Sequence, residues 1–329
     1  MAGNVSSGRA ATRDFISFTN IYRAYIFPVI VFSGIAGNCI SLVVFPRLKR
    51  HDKSTAHYLS FLAASDLLNI LSNGLIDSWL YNALRDIGAA NVNVLGSSSV
   101  VCKLLRYIWY VTTFTSTWNL TLFNVEKCIA IRYPMKRSRI VTSKRRKRAL
   151  FVVLAVGCLI RAPFLHSYDI VLNKNGELEC SLLFKRLTSY GTLLMILFEW
   201  LTSFIIPWLA ITVSSIFIMA AIFKWRKERL IAYTGGSGTK QSYKFVLNLT
   251  SVSAIFLITV SPAIALWGMF WLQHFFKVTF GIESKYDVLK LALISTNVQD
   301  LNFCLNFFIY VICLDFYRAE VRYILLRCC

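Results

Sequence analysis

Long apolar stretches alternate with short polar ones along most of the chain, and seven of them are candidate membrane spans. A bilayer-spanning helix needs about 20 mostly apolar residues. Strands of a membrane barrel would alternate apolar and polar positions, whereas residues 151–160 are almost continuously apolar. Helices satisfy their own backbone hydrogen bonds in lipid, so the pattern predicts an all-α membrane protein. The candidate spans are Ile21–Phe45, Thr55–Tyr81, Val101–Ile131, Arg148–His166, Thr188–Phe223, Ser242–His274 and Tyr286–Cys313.

The stretch after the seventh span is amphipathic at helical spacing. Phe316, Tyr323 and Leu326 supply its apolar positions, and Arg318 and Arg322 supply polar ones. This pattern is typical of a helix that lies in the membrane interface. The chain therefore divides into a tail (1–20), a seven-transmembrane helix bundle (21–313), and a short amphipathic eighth helix with the C-terminus (314–329).

Composition supports a membrane protein and charge gives its orientation. Hydrophobic residues make up 56% and charged residues 16% of the chain, against about 25% charged in soluble domains. Lys and Arg number 36 against 16 acids, a net charge of +20. The basic residues concentrate after the first, third, fifth and seventh spans. The positive-inside rule then predicts an extracellular N-terminus and a cytoplasmic C-terminus, and it explains the charge without nucleic acid.

Both ends of the chain carry candidate modification sites. Asn4-Val5-Ser6 fits a glycosylation acceptor, although chance sequons are common. Cys328 and Cys329 follow the amphipathic helix and are candidates for palmitoylation, with unmodified thiols as the alternative.

Asp66 is an ionisable residue in the middle of the second span, which is a functional hypothesis by default. Neutral oxygen donors lie at comparable depths in other spans, and together they suit a sodium ion or a water cluster. The alternative is a protonated, structural carboxyl group. The cluster consists of Asn38, Asp66, Ser116, Asn302 and Asn306.

A second polar and aromatic group lies nearer the predicted outer side. Aromatic rings with a few charges are typical of a ligand pocket, whereas a membrane-interface belt is the alternative for Trp267 and Trp271. Glu199 and Asp300 need a partner, either Arg106 or a cationic ligand group. The candidate ligand-binding residues are Arg106, Trp109, Tyr110, Thr113, Glu199, Trp267, Gln299 and Asp300, with Trp200 and Trp271 beside them.

Enzyme chemistry has little support in the sequence. The four histidines show no metal-ligand spacing, and there is neither a Gly-x-Ser-x-Gly elbow nor a phosphate-binding glycine loop. No pair of spans has the broken helices of a transporter repeat. We therefore expect no catalytic residues, no cofactor and no metal beyond the possible sodium ion.

Motifs in order along the chain resemble those of the rhodopsin-like G-protein-coupled receptors. Residues 126–135 read Glu-Lys-Cys-Ile-Ala-Ile-Arg-Tyr-Pro-Met, similar to the family's Asp-Arg-Tyr-x-Ala-Ile-x-x-Pro-Leu, and residues 306–310 read Asn-Phe-Phe-Ile-Tyr, similar to Asn-Pro-x-x-Tyr. The remaining matches are Gly37-Asn38, Leu62-Ala63-Ala64-Ser65-Asp66, Pro207, Pro262 and, at the start of the eighth helix, Phe316.

The resemblance implies a plasma-membrane receptor that binds an extracellular ligand and activates a heterotrimeric G protein, with arrestin and membrane lipid as further partners. It implies a disulfide between Cys102 and Cys180, both on the predicted oxidising side. The residues that it places at the G-protein end are Glu126, Lys127, Cys128, Pro134 and Tyr310.

Several departures bear on signalling. Lys127 replaces the family's arginine, which keeps the charge but loses the planar guanidinium. The sixth span reads Thr259-Val260-Ser261-Pro262 and lacks the usual tryptophan, Phe307 replaces a proline, and the fourth span lacks its tryptophan.

Residues at two family positions argue against two classes of ligand. Trp109 takes the place of the amine receptors' aspartate, which argues against a biogenic amine. Asp300 takes the place of the retinal-attaching lysine, which argues against a photopigment. The Asn-Phe-x-x-Tyr ending and the stretch from Lys53 to Asp66 are similar to those of invertebrate FMRFamide and myosuppressin receptors, and also to those of a vertebrate group that senses aromatic amino acids. The first similarity predicts a short amidated neuropeptide whose arginine binds Glu199 or Asp300. A chemosensory or aromatic-amino-acid receptor on the same fold is one alternative, and a non-signalling seven-helix transporter or scaffold is another.

Overall fold

A computed structural model of the chain describes residues 21–47, 53–84, 87–88, 93–133, 142–172, 176–183, 189–232, 237–278 and 285–328. Asn4, Pro134 and Cys329, which the sequence singles out, lie outside these ranges. Some helices contain a wider π-helical segment. The elements are α1 (Tyr22–Ile26, then Phe27–Arg47), α2 (Lys53–Asn69, then Ile70–Ala83), α3 (Ser99–Arg132), α4 (Ser143–Arg161), α5 (Ser189–Trp200, Leu201–Ile205 and Ile206–Ala232), α6 (Ser237–Phe276), α7 (Lys285–Cys313) and α8 (Asp315–Cys328).

The seven long helices form a bundle around α3, which confirms the predicted seven-helix membrane fold. Helix α3 packs against α2, α4 and α5, and it touches α6. Helix α7 closes the ring by packing on both α6 and α1. Two ends of the bundle are named here by the residues of α3 that lie near them, the Cys102 end and the Lys127 end.

Not every helix of the bundle is apolar enough to be recognised as a span. By length and composition five of the described helices qualify, and Leu291–Cys313 with the bent segment Asp315–Ile324 brings the number to six. Helix α3 differs because its neighbours, rather than lipid, cover most of its surface. Its buried polar side chains include Thr112, Thr113, Thr115, Ser116, Thr117, Asn119, Thr121 and Asn124.

The predicted eighth helix is present as α8, which turns away from α7 by 99°. Tyr317 is completely buried, and its hydroxyl lies 2.8 Å from the Ser41 hydroxyl of α1. Its ring also packs against Phe45, at 5.2 Å between centroids. Helix α8 is therefore fixed to the bundle through α1 as well as through its covalent link to α7.

A short antiparallel hairpin crosses the Cys102 end, so the fold contains two strands that the all-α prediction lacked. The strands are β1 (Tyr168–Leu172) and β2 (Leu178–Leu182), and they pair Ile170 with Cys180. Cys180 forms the predicted disulfide with Cys102, with the two Cα atoms 5.6 Å apart. The covalent bond thus holds the hairpin over the start of α3.

Asp169 adds a polar attachment between the hairpin and α3. Its carboxylate accepts hydrogen bonds from the Ser99 hydroxyl at 2.6 Å and from the backbone N–H of Ile170 at 2.9 Å, and it lies 3.2 Å from the Lys103 ammonium. These donors, Ser99 first, hold the pKa of Asp169 well below its usual range. Asp169 is therefore an ionised carboxylate near neutral pH.

Gly37 allows α1 to approach α7 closely. A Cβ atom added there would lie 2.4 Å from Cβ of Phe307, closer than two carbons can pack. We expect Gly37→Ala to lower the thermal unfolding temperature of the purified protein, at a cost of about 1–3 kcal/mol for an overpacked site. Gly74→Ala is the matched control, because its added methyl would meet Val31 at an ordinary 3.4 Å. Equal unfolding temperatures for the two variants would contradict this account of the α1–α7 contact.

Candidate functional site

A cavity of about 520 Å³ opens among the helices near the Cys102 end. Every residue of the predicted ligand-binding group except Asp300 lines it: Arg106, Trp109, Tyr110, Thr113, Glu199, Trp267 and Gln299. Asp300 lies behind Asn73, whose amide lines the cavity and donates to the two carboxylate oxygens at 3.1 and 3.2 Å. The cavity thus brings together residues from α2, α3, α5, α6, α7 and the hairpin.

Arg106 is held by Asp77 of α2, a residue that the sequence analysis did not assign to the site. Two guanidinium nitrogens donate to the two carboxylate oxygens at 2.8 and 3.1 Å. The guanidinium carbon also lies 5.8 Å from the Trp109 ring and 5.6 Å from the Tyr168 ring. Arg106 is therefore not the partner of Glu199 or Asp300 that the sequence analysis considered.

Glu199 pairs instead with Arg161 of α4, which the sequence analysis also missed. Arg161 is completely buried and forms an ion pair with the Glu199 carboxylate. It also donates to the hydroxyls of Thr202 and Ser203 at 2.8 and 2.7 Å, and it lies 5.1 Å from the Phe114 ring. The available signal was an arginine inside an otherwise apolar stretch, the same signal that singled out Asp66.

Aromatic rings form much of the remaining cavity wall. Trp267 donates from its indole N–H to the Thr296 hydroxyl at 3.0 Å and stacks on Trp271 at 5.9 Å. Both tryptophans line the cavity, so neither serves only as an interface anchor. On the opposite side the Tyr110 hydroxyl lies 2.9 Å from that of Tyr168, which connects the hairpin to α3.

Asp66 lies at the centre of a separate buried cluster. Its two carboxylate oxygens accept hydrogen bonds from the Ser116 hydroxyl at 2.6 Å and the Asn306 amide at 2.7 Å. Asn38 donates to the backbone carbonyl of Phe303 at 3.0 Å, and Asn302 is buried in α7. The side-chain oxygens of Asn38 and Asn306 are buried without a hydrogen-bond partner among the described residues. A carboxylate with two such oxygens fits a small hard cation.

Polar residues along α2 connect this cluster to the cavity. Asn69 lies between Asp66 and Asn73, and its amide donates to the hydroxyl of Thr113 at 2.8 Å. Thr113 itself lines the cavity. A row of hydrogen-bonding residues therefore runs from Asp77 at the cavity to Asp66 at the middle of the bundle.

At the Lys127 end the charged residues next to each other in sequence have different partners. Glu126 pairs with Arg146 of α4, whose two nitrogens lie 3.0 and 3.3 Å from its carboxylate. The Lys127 ammonium lies 4.0 Å from the Phe123 ring. Cys128 donates to the Ser214 carbonyl of α5 at 3.3 Å. This different pairing follows from helical geometry, since residues i and i+1 do not face each other.

Tyr310, the last of the described residues that the resemblance places at the G-protein end, is buried in the α7 wall of this region. Its ring packs against Phe45 of α1 and Tyr317 of α8, at 5.1 and 5.6 Å between centroids. The described residues contain no group of three or more His, Cys, Asp or Glu side chains placed to hold a metal ion.

A family model described as "7 transmembrane receptor (rhodopsin family)" matches residues 37–310. The chain therefore belongs to the rhodopsin family of seven-transmembrane receptors, and it is a multi-pass membrane protein.

Several receptors of the family are similar to the chain over different shares of its length. The chain is 27% identical over 225 residues to human growth hormone secretagogue receptor type 1, covering 67% of this chain and 58% of that receptor. It is 22% identical over 313 residues to rat somatostatin receptor type 1, covering 93% and 72%. It is 25% identical over 165 residues to mouse C-C chemokine receptor type 8, covering 49% and 42%.

The interaction energy of the buried pair of Glu126 and Arg146, which joins α3 to α4, can be tested directly. Removing one partner of a buried ion pair costs about 3–5 kcal/mol because the other charge is left unpaired. We expect Glu126→Gln and Arg146→Gln each to lower the unfolding temperature strongly. The double variant should lose much less than the sum of the two single variants.

Lys147→Gln is the control for this experiment, since Lys147 is an exposed residue of the same helix. Unfolding temperatures measured in one detergent and buffer would give the comparison. Strictly additive losses would mean that the two side chains do not interact energetically.

Proposed function

We propose that the chain is a G-protein-coupled receptor for a short amidated peptide. The ligand enters the cavity at the Cys102 end, and a heterotrimeric G protein binds at the Lys127 end. The observation that carries this proposal is the aromatic cavity under a disulfide-anchored hairpin in a rhodopsin-family bundle. Family membership supports an extracellular ligand and a G-protein partner, and it supports a receptor over an enzyme, a transporter or a scaffold.

The distribution of charge and the disulfide support the orientation. Exposed basic residues of α4, including Lys144 and Arg148, lie at the Lys127 end, and basic residues are retained on the cytoplasmic side. The disulfide lies at the other end, and disulfides persist in oxidising compartments. The Cys102 end therefore faces outside in this proposal, which also places Asn4 where glycosylation occurs and Cys328 and Cys329 where palmitoylation occurs.

A peptide is favoured by the relatives, and the cavity is large enough to hold the end of one. A volume of about 520 Å³ lies within the range of about 300–1,000 Å³ typical of ligand sites, and it leaves room for more than one aromatic side chain. Two of the relatives are named for somatostatin and for growth hormone secretagogues. A free aromatic amino acid remains the second candidate, because the same tryptophan-rich wall would pack its ring.

Ligand binding would act by shifting the population of bundle conformations. A ligand in the cavity contacts α3, α5, α6 and α7 at once. Beside Pro262, the indole N–H of Trp208 in α5 donates to the Ser261 hydroxyl of α6 at 3.0 Å. This bond joins the two helices at the level where the usual tryptophan of the sixth helix is missing. In this proposal the α5–α6 contact transmits the change towards the Lys127 end, where the G protein and then arrestin bind.

Trp267 tests the ligand site. We expect Trp267→Ala to raise the peptide concentration for half-maximal G-protein activation by at least about tenfold, since burying a large aromatic side chain contributes more than 1.4 kcal/mol. Phe276→Ala is the control, because Phe276 lies on the same helix, is 60% exposed and does not line the cavity. The measurement is nucleotide exchange in cells that express each variant at matched surface levels, with short amidated peptides and free aromatic amino acids as ligands. Equal potency at the two variants would remove Trp267 from the ligand site.

Sodium tests the Asp66 cluster. We expect the purified wild-type receptor to unfold at a higher temperature in sodium chloride than in an equal concentration of choline chloride, because a bound cation stabilises the folded state by mass action. Asp66→Asn should abolish the difference. Asp300→Asn should keep it, because Asp300 is another buried carboxylate and already accepts hydrogen bonds from Asn73. A sodium effect that survives Asp66→Asn would place the ion elsewhere.

A further inference from the structure

Arg161 is the largest completely buried side chain among the described residues, and it lies at the end of a membrane helix. Arg161 belongs neither to the residues that line the cavity nor to the Lys127 end, where the G protein is proposed to bind. A buried arginine in a membrane protein is costly and marks a function or a partner. Its partner is Glu199, so the question is what the pair does to the cavity.

Glu199 lies between the cavity and Arg161. Glu199 lines the cavity and Arg161 does not, while a terminal nitrogen of Arg161 forms the ion pair with the Glu199 carboxylate. Thr202 and Ser203 bind one terminal nitrogen of the guanidinium, at 2.8 and 2.7 Å. These contacts fix the arginine in α4 against α5, so a ligand meets a carboxylate whose charge is already compensated from behind.

Charge compensation changes which ligand group this carboxylate prefers. A lone carboxylate in a low-dielectric site attracts a cation strongly. With an arginine already attached, a second cation leaves one positive charge uncompensated, and a ligand carboxylate would be repelled by Glu199. An uncharged N–H donor adds a hydrogen bond at no cost in unpaired charge. The other cavity carboxylate, Asp77, is compensated in the same way by Arg106.

We propose that Arg161 is a specificity-determining residue that makes Glu199 an acceptor for an uncharged N–H donor, such as a primary carboxamide, rather than a counter-ion for a cation. This inference rests on the proposed function for one point only, namely that the carboxamide is the end group of an amidated peptide. The ligand's guanidinium, if it has one, then binds away from Glu199.

Three small probes that share one aromatic group test the proposal on the purified full-length receptor. They are N-acetylphenylalaninamide, which is neutral; N-acetylphenylalanine, which is an anion at neutral pH; and the amine in which CH₂NH₃⁺ replaces the carboxamide. Binding is measured as the rise in unfolding temperature over a concentration series. In the wild type we expect the amide to bind about tenfold more tightly than either charged probe, a preference of about 1.4 kcal/mol.

Two single variants should change the preference in opposite directions. Arg161→Met leaves Glu199 uncompensated, so the amine should become the tightest probe. Glu199→Gln leaves Arg161 uncompensated, so the anion should become the tightest probe. The double variant has a neutral wall and should prefer the amide again. If Arg161→Met does not fold, the test rests on Glu199→Gln, in which the preference should shift from the amide to the anion.

Three results would overturn the inference. A wild type that prefers the amine would make Glu199 a counter-ion. Single variants that unfold at lower temperatures but keep the order of the probes would show that the pair only holds α4 to α5. A wild type that none of the probes stabilises would show that the cavity does not accept this end group.

These measurements need no G protein and no peptide, so they separate the two proposals. If no peptide activates the receptor but the probes bind in the expected order, the proposed function is rejected and the inferred specificity of the cavity stands. If peptides activate the receptor but the variants keep the wild-type order of probes, the proposed function stands and the inferred role of Arg161 is rejected.

Discussion

The bundle depends on satisfying the polar groups that its helices carry into the membrane. Lipid offers them no partner, so each must find one inside the protein. Helix α3 is where many of them meet: Ser116 binds Asp66, Thr113 binds Asn69, and Asn119 donates to the Tyr58 carbonyl of α2 at 2.9 Å. This is why a helix too polar to be recognised as a span occupies the centre, surrounded by other helices rather than by lipid.

The same constraint shapes the cavity and gives it selectivity. Both carboxylates that line it are paired with arginines from neighbouring helices, so the wall is rich in charged groups but nearly balanced in charge. Pairs of this kind contribute little net stability, because the desolvation of both ions offsets their attraction. Their effect is instead to fix where the helices lie and which ligand groups the wall accepts. Structure and specificity thus come from the same contacts.

The Lys127 end shows how a departure from the family pattern is accommodated. A lysine lacks the planar fork that would bind a carboxylate through two nitrogens. Here Arg146 of α4 supplies that fork to Glu126, and Lys127 lies over an aromatic ring. The acidic residue is therefore satisfied without its neighbour in sequence, and the pair joins α3 to α4.

Sequence alone determined the seven helices, the short helix α8, the disulfide and the family, because each depends on local hydrophobicity or on a motif read in order. It also found most of the cavity residues, since aromatic and charged side chains in spans are conspicuous. It did not find the strands of the hairpin, whose pattern is short, or the partners of the charges. Arg161 of α4 reaches Glu199 of α5, and Asp77 of α2 reaches Arg106 of α3, only in the assembled bundle. Pairing between helices depends on rotation and depth within the bundle, which the tertiary structure alone decides.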